Sequence, residues 1–238
     1  MTQLMQLNNT IRNTQAGNVF VFILAGIFLF GALIFTFTRG ASKGTTNLGK
    51  HQARVAAQEI MGYAQSLEQG VNRVRRNGCS ENQISFENSE IAGYPNANAP
   101  GDNSCHVFEE NGGRAIYQAP NDMWLDGSFT GGSSFGDNVF TGNLSIDGVE
   151  TANMELLFYV PYVSNQICEA LNRFIGLDLA AIPVDDYGGG VNTYTGSFTA
   201  ATTSVIGDDA TDLAGQSSFC VRQDSSGINI FFHTLLAR

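Results

Sequence analysis

Polar and apolar positions change rhythm three times along the chain. Residues 19–38 read VFVFILAGIFLFGALIFTFT and end at Arg39, an uncharged run of 20 residues. At about 1.5 Å per residue such a run matches a hydrocarbon core of roughly 30 Å, so residues 18–38 are predicted to be a membrane-spanning helix. The run is longer than the apolar region of a secretory signal, and Arg39 stands where a small-residue cleavage site belongs. A second rhythm covers residues 39–77. Leu48, Val55, Ala56, Ile60, Tyr63, Ala64, Leu67, Val71 and Val74 recur at steps of three and four, the period of an amphipathic helix. Gln52, Arg54, Gln58, Glu59, Gln65 and Arg73 take the other faces. Arg73, Arg75 and Arg76 suit the negative end of a helix, and Gly78 stops it.

The third rhythm, residues 78–238, is that of strands and turns. Short apolar pieces at 83–86, 106–108 and 115–117 are weak strand candidates among Asn, Gly, Ser and Pro. Residues 140–146 and 154–163 are stronger ones, dense in Leu, Phe, Tyr and Val. Ser164 is placed to cap a short helix to Ile175, with Ile167, Cys168, Leu171, Phe174 and Ile175 turned inward and Gly176 closing it. A Gly/Thr/Ser-rich stretch follows at 187–203, and the chain ends in a hairpin, 218–222 and 228–236, around the turn 224–227. The fold class is therefore α+β: a long amino-terminal helix, membrane span plus amphipathic half, packed on an antiparallel β-sheet domain.

Charge sharpens the division. The chain has 238 residues and a formal charge of −10. Residues 1–50 hold four basic side chains and no acid, for +4, whereas 51–238 hold eight Arg, no Lys and all 22 acids, for −14. An acidic body argues against nucleic acid, whose phosphates need a clustered basic face. Apolar content of 43% is enough for a packed core.

All four cysteines, Cys79, Cys105, Cys168 and Cys220, follow the apolar run. The positive-inside rule, applied to Arg39, Lys43 and Lys50, places the carboxyl side in the cytoplasm. The cysteines argue the opposite, because an even set in an extracytoplasmic domain reads as disulfides. Four cysteines allow three pairings; short loops favour Cys79–Cys105 and Cys168–Cys220, and the sequence alone leaves the choice open.

Recognisable chemistry is sparse. There is no GxSxG, P-loop, HExxH or dinucleotide-binding glycine pattern. His51, His106 and His233 are scattered, and none sits in a zinc-ligand spacing, so no cofactor is expected. Two acidic patches are weak calcium candidates, Asp185 with Asp186, and Asp208 with Asp209 and Asp212. Neither follows the EF-hand ligand pattern, and both read more simply as solvated turns. Trp124, Phe129, Phe135 and Phe140 are expected to pack beneath a long loop.

A short polar leader ending in Gly17, an uncharged run directly after it, an amphipathic helix and a cysteine-bearing sheet domain together resemble type IV pilins and the pseudopilins of type II secretion. The resemblance implies a leader over 1–17, peptidase cleavage after Gly17 and N-methylation of Asn18. It implies a pilin-like fold and a non-enzymatic filament subunit, held first at the bacterial inner membrane with a periplasmic domain and then at the cell surface. Its partners are a prepilin peptidase, the membrane and other pilin-like subunits, and no nucleic acid. The fifth mature residue, usually Glu in the family, is Phe22 here, a departure seen in certain minor pseudopilins. The alternative is a bitopic, membrane-anchored periplasmic binding module.

Overall fold

The computed structural model describes residues 18–187, 192–201 and 204–238, and side chains mainly from Gly49 onward. The chain divides into two compact units, residues 1–49 and 50–238. In the first, the backbone is helical from Asn18; α1 is assigned over Asn18–Arg76. The second unit holds the rest of α1, a ten-residue helix α2 (Asn165–Phe174) and six strands: β1 (Val139–Ile146), β2 (Glu155–Pro161), β3 (Val184–Asp185), β4 (Val205–Ile206), β5 (Ser218–Gln223) and β6 (Asn229–Leu236).

The strands form one sheet in the order β3-β5-β6-β2-β1-β4. The four inner strands pair antiparallel, but β3 joins β5 and β4 joins β1 in parallel. The sheet is therefore mixed, which corrects the expected antiparallel sheet. Two-residue strands on either side of the Gly/Thr/Ser-rich stretch 187–203 have no alternation to reveal them, and a parallel neighbour needs a long crossover that no local signal announces. The expected membrane-spanning helix is corrected as well: among the described residues no helix is long and apolar enough to cross a membrane. Within 19–38 only residues 23, 24, 26 and 27 have described side chains, so the apolar run itself falls largely outside them.

Both faces of the sheet are covered, which is why β1 is buried at every position. One face packs on α1 and α2. Ala53, Ala57, Ile60, Ala64, Leu67, Val71 and Val74 form a buried stripe on α1, and Phe158, Val160, Cys220, Phe231 and Leu235 meet it from the sheet. The step of three and four was the right one for this stripe, but Val55 faces solvent, 52% exposed, and Ala53 and Ala57 replace it. The other face carries Leu157, Phe219, Val221, Ile230 and Phe232 under Tyr187, Ile206 and Leu213 of the 187–216 segment. β1 changes faces partway. Its register on β2 shifts between Thr141 and Leu144, a bulge that sends Phe140 toward α1 and Leu144 and Ile146 to the opposite side. Gly142 lies in this bulge, where a Cβ would stand 2.8 Å from the Tyr194 ring and 2.9 Å from the Ser197 carbonyl.

α1 ends as its sequence predicts. Gly78 takes φ +97°, its N–H bonds the Arg75 carbonyl, and the Cys79 N–H bonds that of Val74. This double closure is a Schellman motif, and it delivers Cys79 directly to its disulfide with Cys105. The second disulfide joins Cys168 of α2 to Cys220 of β5. Ser164 occupies the N-cap of α2, but its carbonyl rather than its side chain receives the first bonds, from Ile167 and Cys168. Phe174, expected inward, is 51% exposed. Of the weak strand candidates, only an isolated bridge between Ser85 and His106 forms. Trp124 is buried, and Phe129 and Phe135 both lie against the Tyr162 ring at 5.6 Å.

Candidate functional site

A three-member polar constellation lies between α1 and the carboxyl-terminal hairpin. The antiparallel register of β5 on β6 sets Ser218 directly opposite His233. Ser218 Oγ stands 2.6 Å from His233 Nδ1, and His233 Nε2 stands 3.2 Å from Glu68 Oε2 on α1. Ser218 and His233 are buried, whereas the Glu68 side chain is 42% exposed. With the imidazole neutral, the carboxylate fixes the proton on Nε2. Nδ1 is then the acceptor and the Ser218 hydroxyl the donor. The hydrogen bond from His233 holds the Glu68 carboxyl below its ordinary range, against the opposing effect of burial.

Hydroxyl, imidazole and carboxylate stand here in the order used for nucleophilic catalysis. Their exposure runs the other way. A serine nucleophile needs a cavity for the reacting carbonyl and nearby N–H donors for the oxyanion. Ser218 Oγ is instead sealed within the sheet, and the carboxylate is the member that meets water. Neither Ser218 nor His233 lines any of the cavities found around residues 54–58 and 170–174, 169–182, 152–154 or 90–94. The arrangement is suited to tying helix to sheet through a three-member polar chain. Ser218 and Glu68 carry no motif, and only the register of the last hairpin, 218 opposite 233, could have singled out the serine. His51 is exposed and His106 half-buried, and neither joins His233.

The acidic candidates separate. Asp185 is 1% exposed, and both its oxygens accept backbone N–H groups. Oδ1 takes that of Tyr187 at 3.3 Å, and Oδ2 takes those of Gly207 at 2.8 Å and Ala210 at 3.3 Å. β3 and β4 are opposite edges of the sheet, so one carboxylate draws the two edges together and nearly closes it. Burial raises the Asp185 carboxyl above its ordinary range despite these three bonds. Asp186, Asp208, Asp209 and Asp212 are exposed and point to no shared centre. Among the described residues no group of three His, Cys, Asp or Glu side chains is placed to hold a metal ion.

A second buried device braces the Cys168–Cys220 disulfide. The Asn172 amide donates to the Cys220 carbonyl at 2.8 Å and accepts its N–H at 2.7 Å. It supplies the two bonds of a neighbouring strand where β3 reaches only Arg222 and Gln223. Gly17, the expected cleavage residue, lies outside the described residues, and Asn18 opens α1. No protein-family model matches the sequence, and no curated protein or solved structure matches it either.

Proposed function

We propose that the chain is a pilin-like structural subunit, not an enzyme, of a bacterial type IV pilus or type II secretion pseudopilus. One juxtaposition in the sequence carries the reading: Gly17-Asn18 stands directly before the uncharged run 19–38. That order suits a precursor held at the inner membrane, trimmed after Gly17 and methylated at Asn18. The apolar area of this run needs burial in the assembled state, and a bundle of identical runs at a filament core supplies it. The acidic body and its two disulfides suit the oxidising, aqueous side of that membrane.

The partners under this reading are a prepilin peptidase, the inner membrane before assembly, and other pilin-like subunits. Phe22 at the fifth mature position favours a minor subunit. The same residue also favours a second reading, a membrane-anchored periplasmic binding module that keeps residues 1–17 and never enters a sheared filament fraction. Mass spectrometry of the amino-terminal peptide from the native host separates the two. The expected result is a methylated start at Asn18 that is lost in Gly17→Ala; mature material beginning at Met1 would overturn the filament reading.

A further inference from the structure

Positive charge is scarce in the body, with eight Arg and no Lys against 22 acids. Most of it is engaged. Arg73 donates to the Gly113 carbonyl, Arg75 and Arg238 pair with Glu81, and Arg222 donates to Asn165 and Asn229. Arg76, at the end of α1, is exposed and without a hydrogen bond or ion pair among the described residues, and two further arginines stand apart beside one groove. Arg54 on α1 has no hydrogen bond or ion pair among the described residues, and Arg173 on α2 reaches only the exposed Asp178, at 3.8 Å. Together they frame a groove of about 240 Å³ whose other walls are Ala57, Gln58, Ala170 and Phe174. Two loosely held guanidinium groups over an apolar floor make a receptor for carboxylates presented on a turn.

The complementary feature lies on the opposite side of the sheet. The 208–212 turn follows β4, on the face that Ile206, Ala210 and Leu213 cover, whereas α1 and α2 cover the other. Asp208, Asp209 and Asp212 are exposed and form no ion pair among the described residues. We propose that the groove between α1 and α2 receives the 208–212 turn of a second copy of this chain. Groove and turn occupy opposite faces, so the contact is heterologous: each copy engages one neighbour by its groove and another by its turn. Such a contact repeats instead of closing as a two-fold dimer. The inference deepens the filament reading, and rests on it, by naming one subunit-to-subunit contact.

The test uses the full chain in detergent, followed by sedimentation velocity at low and high salt. The wild type is expected to form species larger than a dimer at low salt that dissociate as salt screens the contact. Arg54→Glu with Arg173→Glu should abolish them, and so should Asp208→Arg with Asp209→Arg. An equimolar mixture should restore assembly, because each altered surface then meets its complement. The milder pair Arg54→Gln with Arg173→Gln should need about tenfold more protein for the same assembly, which corresponds to two partly solvated ion pairs. A wild type that stays monomeric, which would leave the groove to a different partner, overturns the proposal. So does a charge-reversed variant that assembles like the wild type, or a mixture of disulfide-intact variants that fails to assemble. The start residue, read by mass on the native protein, keeps the two claims apart. A Met1 start with restored mixed assembly removes the leader reading and keeps this contact; an Asn18 start with charge-insensitive assembly does the reverse.

Discussion

Glu68 on α1 and His233 on β6, 165 residues apart in sequence, meet with Oε2 and Nε2 3.2 Å from each other. The pair is the polar stitch between the helix and the sheet it covers. The sign of its pH dependence follows from Glu68, whose carboxyl is held below its ordinary value of 4.5. Its stabilising effect is fully present above pH 4.5 and fades as pH falls from there through the lowered folded-state value. The carboxylate is 42% exposed, so solvent screens it and the effect stays under about 1 kcal/mol. Glu68→Gln, which keeps an acceptor for Nε2, should therefore lower the urea midpoint slightly at pH 7, and the difference should vanish near pH 3.

Glu155 behaves with the opposite sign. It opens β2, is fully buried, and neither carboxyl oxygen has a hydrogen-bond partner. Burial pushes its pKa up to about 8, and the neighbouring Ile146 backbone offsets this only in part. From its ordinary 4.5 up to about 8, the unfolded chain gives up this proton and the folded chain keeps it. Stability is thus whole below pH 4.5 and declines as pH rises toward 8. Glu155→Met, similar in length and at home beside Leu144, should remove this decline. The expected gain is roughly 2–4 kcal/mol at pH 8, at about 1.4 kcal/mol per unit of pKa shift, and little at pH 4. Thermal melts at the two pH values check it; equal shifts at both would refute the assignment.

Much of the inner sheet was legible because each local signal agreed with its neighbours. β1, β2 and the β5–β6 hairpin carry Phe, Val, Ile and Leu between turn residues, and α2 lies between Ser164 and Gly176. The disulfides follow the shortest loops, separations of 26 and 52 residues. The sheet edges were not legible, since two paired residues leave no period. The Ser218–His233–Glu68 chain was not legible either, because it needs the register of one hairpin and the rotation of a distant helix at once. Phe174 misled for a related reason. Helical spacing put it inward, but the amide of Asn172 takes the buried place and leaves Phe174 in the groove beside Arg173.

Asn172 itself yields a sharp stability test. Its amide satisfies both the N–H and the carbonyl of buried Cys220. Asn172→Leu keeps the branched outline of the side chain and strands both groups, so a loss of roughly 2–4 kcal/mol is expected by urea denaturation. Asn172→Asp keeps the acceptor, removes the donor and buries a charge, and it should be no milder. With the disulfide intact in each variant, the loss belongs to the hydrogen bonds and not to the crosslink. A change within about 0.5 kcal/mol would mean that water replaces the amide at this edge.

Asp185 provides the last test, because a calcium ligand and a staple between sheet edges predict different outcomes. All three of its side-chain bonds come from backbone N–H groups, and a cation could approach only by displacing them. Asp185→Ala leaves the Gly207 and Ala210 N–H groups buried without an acceptor, at an expected cost of roughly 2–4 kcal/mol. Asp185→Asn keeps one acceptor and should cost less. Hydrogen exchange should localise the damage: the Ser145 and Asp147 amides, which bond to Ser204 and Ile206 around β4, should exchange faster in Asp185→Ala. The inner pairing of β2 with β6 should stay protected until global unfolding. Calcium or a chelator should leave the melting temperature of the wild type unchanged. A calcium-dependent rise that Asp185→Asn abolishes would return this carboxylate to the role of an ion ligand.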